Sequence, residues 1–79
     1  MGQVDVITVE YSAMNIILNG ASRDVPDNLS ASELLLSLDL ADKRLALEVN
    51  QKIIPRSTFA SHAIKPGDRV EIVHAIGGG

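Results

Sequence analysis

The sequence predicts a two-layer α+β domain: a mixed sheet of four to five strands with one main helix packed on one face. Three observations carry this. Asn19-Gly20 follows an alternating apolar run, which marks a hairpin. Ser30 and Glu33 open a leucine-rich segment with helical spacing. Two more alternating runs, around Leu47 and around Ile72, come after that helix.

The first strand is read from Met14, Ile16 and Leu18, which alternate with Asn15, Ile17 and Asn19. Both central positions of a type I′ turn need positive φ, and Asn19-Gly20 meets that demand. The return strand covers 21–25 and stops at Pro26. In the helix, the Ser30 hydroxyl and the Glu33 carboxylate each satisfy an amide that a helix start leaves unpaired. Leu34, Leu35 and Leu38 share the face toward the sheet, and Leu36 points elsewhere. Residues 39–44 form a charged connection. Leu45, Leu47 and Val49 then point inward on a third strand. Asn50-Gln51 turns the chain into a short strand, Lys52-Ile53-Ile54, which Pro55 ends. One helical turn over 57–60 presents Phe59 to the core. Lys65-Pro66-Gly67-Asp68 is a turn by composition. A last strand over 69–76 has Val70 and Ile72 inward. A helix between the second and third strands lets the first and last strands pair in parallel at the sheet's centre, which is the β-grasp arrangement.

Composition limits what such a domain can do. At 79 residues there is one domain, near the size at which a single core barely suffices. There is no cysteine, so no disulfide staples it and it does no thiol chemistry of its own. With 46% hydrophobic residues, packing is its source of stability. A formal charge of −3 and the lack of a basic stripe argue against nucleic acid. No apolar run approaches a membrane span, and the front lacks the layout of a signal peptide, so the expected compartment is the cytoplasm. Residues 1–13 hold Val4, Val6, Ile7 and Val9 and have three readings: a leader, an expression remnant or an added edge strand. The expected organisation is an extension over 1–13, the domain over 14–76 and a glycine tail over 77–79.

The candidate site is that tail. Gly77, Gly78 and Gly79 form a side-chain-free arm, thin enough for a channel that excludes any Cβ. Terminal glycines are also read as a frayed end or an appended linker. Attachment to the last strand of such a domain favours a working arm. Val73 and Ala75 fall on the face opposite Val70 and Ile72, and with outward Ala46 they make a small apolar docking patch. His74 and His62 lack partners at metal or catalytic spacing, and His74 reads as a solvent-facing strand residue. Asp24, Asp27, Asp39, Asp42 and Glu48 read as solvated charge. No catalytic side chain and no metal site is expected, and no internal glycine loop is present to cradle a phosphate.

The domain resembles the ThiS family, the sulfur carrier proteins of thiamine biosynthesis. Met14-Asn15-Ile16, the Leu34-Leu35 helix and the run from Val49-Asn50-Gln51 through Pro55-Arg56 carry the resemblance. Lys65-Pro66-Gly67-Asp68 and Val70-Glu71-Ile72-Val73-His74, running into the glycines, complete it. Fold and tail are also similar to ubiquitin and to the small subunit of molybdopterin synthase. The resemblance implies a carrier, not an enzyme, likewise cytoplasmic and monomeric. Its Gly79 carboxylate is adenylated with ATP by an E1-like, ThiF-like enzyme and converted to a thiocarboxylate. A cysteine desulfurase system supplies the sulfur, which passes to a ThiG-like thiazole synthase. ATP is bound by the partner, and the carrier needs no cofactor of its own. The alternatives are a molybdopterin-type carrier, a ubiquitin-like protein modifier, or a β-grasp binding module with incidental glycines.

Overall fold

A computed structural model describes residues 12–74 of the chain. These form a five-stranded mixed sheet with a helix on one face. The strands are β1 (Ala13–Leu18), β2 (Ala21–Pro26), β3 (Leu45–Val49), β4 (Lys52–Ile54) and β5 (Arg69–His74), and the helix is α1 (Ala31–Ser37). The spatial order is β2-β1-β5-β3-β4. β1 and β5 pair in parallel at the centre, and the other pairs are antiparallel. The expected β-grasp topology is therefore what the chain adopts.

Local chemistry accounts for the elements. Asn19 at φ 49° and Gly20 at φ 84° make the β1–β2 turn, and nothing lies within 4 Å of a Cβ built on Gly20. Conformation, not crowding, is what favours glycine there. Ser30 caps α1: its Oγ accepts from the Glu33 amide at 3.0 Å, and Glu33 Oε1 accepts from the Ser30 amide at 2.9 Å. The helix stops after two turns because Asp39 enters the left-handed region at φ 61°. Arg56 steadies the charged connection by donating from Nη2 to the Lys43 carbonyl at 2.9 Å.

The core is one aliphatic cluster between α1 and the inner sheet face. Ile16, Leu34, Leu47 and Val70 are fully enclosed, and Met14, Leu35, Val49, Phe59 and Ile72 surround them. Leu36 is 69% exposed, as its helical position predicts. Other expectations need correction. Leu18 and Leu38 pack only partly against the cluster, because each ends its element, and Val25, Leu29, Ala31 and Ile64 are buried instead. Ile64 is drawn in by backbone: its amide donates to the Leu29 carbonyl at 2.8 Å, and Ser30 and Ala63 form a β-bridge. The helical turn lies over Arg56–Thr58 rather than 57–60, as a 3₁₀ turn. The domain also starts earlier than residue 14. Ala13 pairs with Pro26 in the first strand pair, and the Ser12 carbonyl accepts from the Asp27 amide at 2.8 Å. The rest of the expected extension, and the end of the last strand beyond His74, lie outside the described residues.

Candidate functional site

β5 is the strand that leads toward the glycines, and the fold holds it at several points. Toward β1, the parallel register sets Ile17 opposite Arg69 and Leu18 opposite Val70. Where β1 ends, Asn19 continues its work: its amide donates to the Val70 carbonyl at 2.9 Å, and its Oδ1 accepts from the Ile72 amide at 2.8 Å. At the base of the strand Asn50 acts as a clamp. Its Oδ1 accepts from the Arg69 amide at 2.9 Å, and its Nδ2 donates to Asp68 Oδ1 at 3.0 Å. Its backbone amide donates to the Arg69 carbonyl at 2.8 Å. Asp68 Oδ2 in turn accepts from the Lys65 amide at 2.9 Å, which closes the turn before β5.

Both asparagines sit at positive φ, 49° and 54°, a region in which asparagine is several-fold enriched. The sequence marks Asn19 and Asn50 only as turn residues. Their preference for left-handed turns was the available signal. Their grip on a strand 53 positions from Asn19 is not a local property.

On the outer face of the sheet the predicted patch forms in part. Ala46 and Val73 are direct cross-strand partners in the β3–β5 register, and both are exposed, Val73 by 54%. Ala75 and the tail residues Gly77, Gly78 and Gly79 lie outside the described residues. His74 faces Leu45 across the register and is exposed, whereas His62 is half-buried in a loop with its carbonyl accepting from the Ala31 amide. The two histidines therefore have separate, structural settings.

Among the described residues no group of three or more His, Cys, Asp or Glu is placed to hold a metal ion. Asp24 accepts from Asn15 Nδ2 at 3.0 Å, and Asp39 and Asp42 are exposed. The carboxyl of Glu33 is held below its ordinary pKa by its bond from the Ser30 amide and, second, by the Ser30 hydroxyl. That effect belongs to the helix cap. Two concavities among the described residues are small, about 80 Å³ beside Leu35 and Phe59 and about 230 Å³ beside Asn50 and Lys65. Both are smaller than the pockets that usually enclose a cofactor-sized ligand. No helix among the described residues is long and apolar enough to cross a membrane.

Comparison with known proteins follows the same lines. A family model described as "ThiS family" matches residues 16–79. The sulfur carrier protein ThiS of Escherichia coli strain K12 is 33% identical over 66 residues, covering 84% of this chain and 100% of that protein. A crystal structure of the thiamine biosynthesis protein ThiS from Geobacter metallireducens superposes with a TM-score of 0.74 at 33% identity, covering 84% of this chain and 100% of that one. A thiazole synthase of Paramagnetospirillum magneticum is 36% identical over 66 residues. This chain spans only 20% of that longer protein, so the similarity concerns a carrier-sized segment of it.

Proposed function

The chain belongs to the ThiS family, and from that premise we propose that it is the sulfur carrier of a thiazole-forming step in thiamine biosynthesis. In this role it is a protein substrate and not a catalyst. Its reacting group is the carboxylate of Gly79. One carboxylate oxygen attacks the α-phosphate of ATP on an adenylating partner, and pyrophosphate leaves. The terminal sulfur of a persulfide then displaces AMP at the acyl carbon to give an acyl disulfide, and a second thiol of the donor system attacks the donor-side sulfur, forming a disulfide with it and releasing the thiocarboxylate. Adenylation is needed because a carboxylate is a poor electrophile and AMP is a good leaving group.

The observation that carries this reading is the seating of β5. The strand before the glycines is central, pairs on both sides, and is pinned by Asn19 and Asn50. The glycines thus follow, in sequence, a strand that is paired on both sides. The chemistry then occurs in the partner's site, which supplies the nucleotide cradle. Thiazole synthase is the proposed acceptor, supported by the carrier-like segment that a protein of that name contains. The apolar pair Ala46 and Val73 is the proposed docking contact beside the arm.

Mass spectrometry of the protein taken from its native host tests this. The expected result is a C-terminal species heavier by the difference of sulfur over oxygen on Gly79. A C-terminus carrying only oxygen, even when the activating enzyme, ATP and the sulfur source are supplied together, would refute it.

A further inference from the structure

The turn between β1 and β2 joins two properties that are separately ordinary and together reactive. Asparagine occurs at positions 15, 19, 28 and 50, and only Asn19 is followed by glycine. All of them are exposed, and Asn28 and Asn50 share the positive φ of Asn19, so neither property sets Asn19 apart. Its neighbour does. Gly20 has no Cβ to shield its backbone nitrogen. It lies in the turn, outside the β1–β2 register, with nothing within 4 Å of where a Cβ would stand. Asparagine is a thermolabile residue, and its side-chain carbonyl is one ring closure away from the next backbone nitrogen. Against this, Asn19 commits its side-chain oxygen to β5, accepting from the Ile72 amide at 2.8 Å.

We propose that Asn19-Gly20 is a site of spontaneous deamidation, held in check by the seating of β5. The step needs only water. Hydroxide removes the Gly20 amide proton, and the nitrogen attacks Asn19 Cγ. The Cγ–Nδ2 bond breaks, Nδ2 takes a proton from water and leaves as ammonia, and a five-membered imide remains. Water then opens the imide, and nothing is oxidised or reduced. Opening at Cγ leaves aspartate, whereas opening at the main-chain carbonyl leaves isoaspartate, with the chain running through Cγ. Ring closure brings Cγ onto the Gly20 nitrogen, but the bond to Ile72 holds the carboxamide toward β5. Reaction therefore follows local opening of β5. The two products differ in what they do to the fold. Aspartate keeps an acceptor for the Ile72 amide. Isoaspartate adds a main-chain atom to a two-residue turn whose length sets the register of β1 and β2. It also shortens the side chain by one carbon, which withdraws the acceptor. A chain whose last strand has opened is thereby marked, and the mark keeps that strand loose. The inference does not depend on the carrier reading, because it concerns the turn and β5 alone.

The test follows deamidation of the full chain in heavy-oxygen water at mildly alkaline pH, mapped by peptide mass spectrometry. It is run on the folded protein, in urea below the unfolding transition, and on the unfolded chain. Asn19 should be modified before Asn15, Asn28 and Asn50 in each condition. The folded rate should be lower than the unfolded one by roughly tenfold or more, the scale of one hydrogen bond to a partly buried amide. Low urea should raise it. In the unfolded chain, where turn strain plays no part, Gly20→Ala should slow the reaction. The isoaspartyl form, separated from the parent, should show faster amide exchange at Ile72, and Asn19→Asp should not. Earlier modification of another asparagine, or equal rates in the folded and unfolded chain, would overturn the inference. So would an isoaspartyl protein whose Ile72 amide exchanges at the parent rate.

Discussion

The side chain of Asn19 accepts a 2.8 Å hydrogen bond from the backbone amide of Ile72, joining the first hairpin to the last strand. The residue turns the chain and then substitutes for the strand that has just ended. Asn19→Gly keeps the positive φ and removes the acceptor, so it isolates the second role. The expected loss of stability is about 1–3 kcal/mol, the usual cost of leaving a partly buried donor unmatched. Amide exchange at Ile72 should accelerate in that variant. Unchanged exchange would show that water replaces the bond without cost.

The proposed reacting end makes a sharper prediction. Adding one residue after Gly79, or deleting Gly79, should abolish pyrophosphate exchange while leaving the melting temperature unchanged. Gly78→Ala should slow exchange by up to ~100-fold, the scale expected when a reacting group is misplaced by about 1 Å. If the extended variant is activated at the parent rate, Gly79 is not the reacting residue.

Docking can be probed apart from chemistry. Val73 is 54% exposed, so Val73→Asp should fold normally. A carboxylate in a desolvated apolar contact is costly, and binding to the adenylating enzyme should weaken. Isothermal titration with the isolated proteins reads this directly, and equal affinity for parent and variant would exclude Val73 from the contact.

Acid sensitivity should trace in part to the helix cap. Glu33 has its pKa lowered in the fold by the Ser30 amide. A lowered folded pKa contributes stability that is present above the unfolded value and is lost as pH falls through the folded one. Glu33→Gln keeps a capping oxygen and cannot titrate. Urea unfolding across acidic pH should show parent and variant converging as the pH falls below the ordinary carboxylate range. A constant gap would place the acid sensitivity elsewhere.

In the core, Leu47 is wholly buried. Leu47→Ala should cost roughly 2–5 kcal/mol, a large share of the stability of so small a domain. Leu38→Ala should cost less, because its side chain is only partly covered. Comparable losses at both positions would show that the helix end is more tightly packed than its exposure indicates.

Legibility from the sequence divides by range. The hairpin turn, the Ser30–Glu33 cap, the inward set Leu45-Leu47-Val49 and the turn before β5 are fixed by neighbours within a few residues, and each is found where the pattern puts it. The outward positions of Ala46 and Val73 follow from alternation, but their direct opposition depends on a register that no local pattern encodes. The same holds for Glu48, which reads as solvated charge and whose opposition to Glu71 only the register shows. Ile64 was illegible for another reason. A lone isoleucine in a loop has no periodicity, and a bridge to the front of α1 is what buries it. Asn50 looks like an ordinary turn residue until Arg69 and Asp68 are placed beside it.

The central pairing of β1 with β5 also has a consequence during synthesis. The two strands come from opposite ends of the described domain, so the sheet cannot close until the ribosome has delivered β5. Until then Ile16 and Leu34 lack Val70, one of the enclosed residues at the centre of their cluster. Such non-local closure slows folding relative to a helical chain of equal length. It also sets an order of events. The nascent glycines follow directly on the strand whose docking completes the core, so the strand that leads into them is seated only once the domain has finished folding.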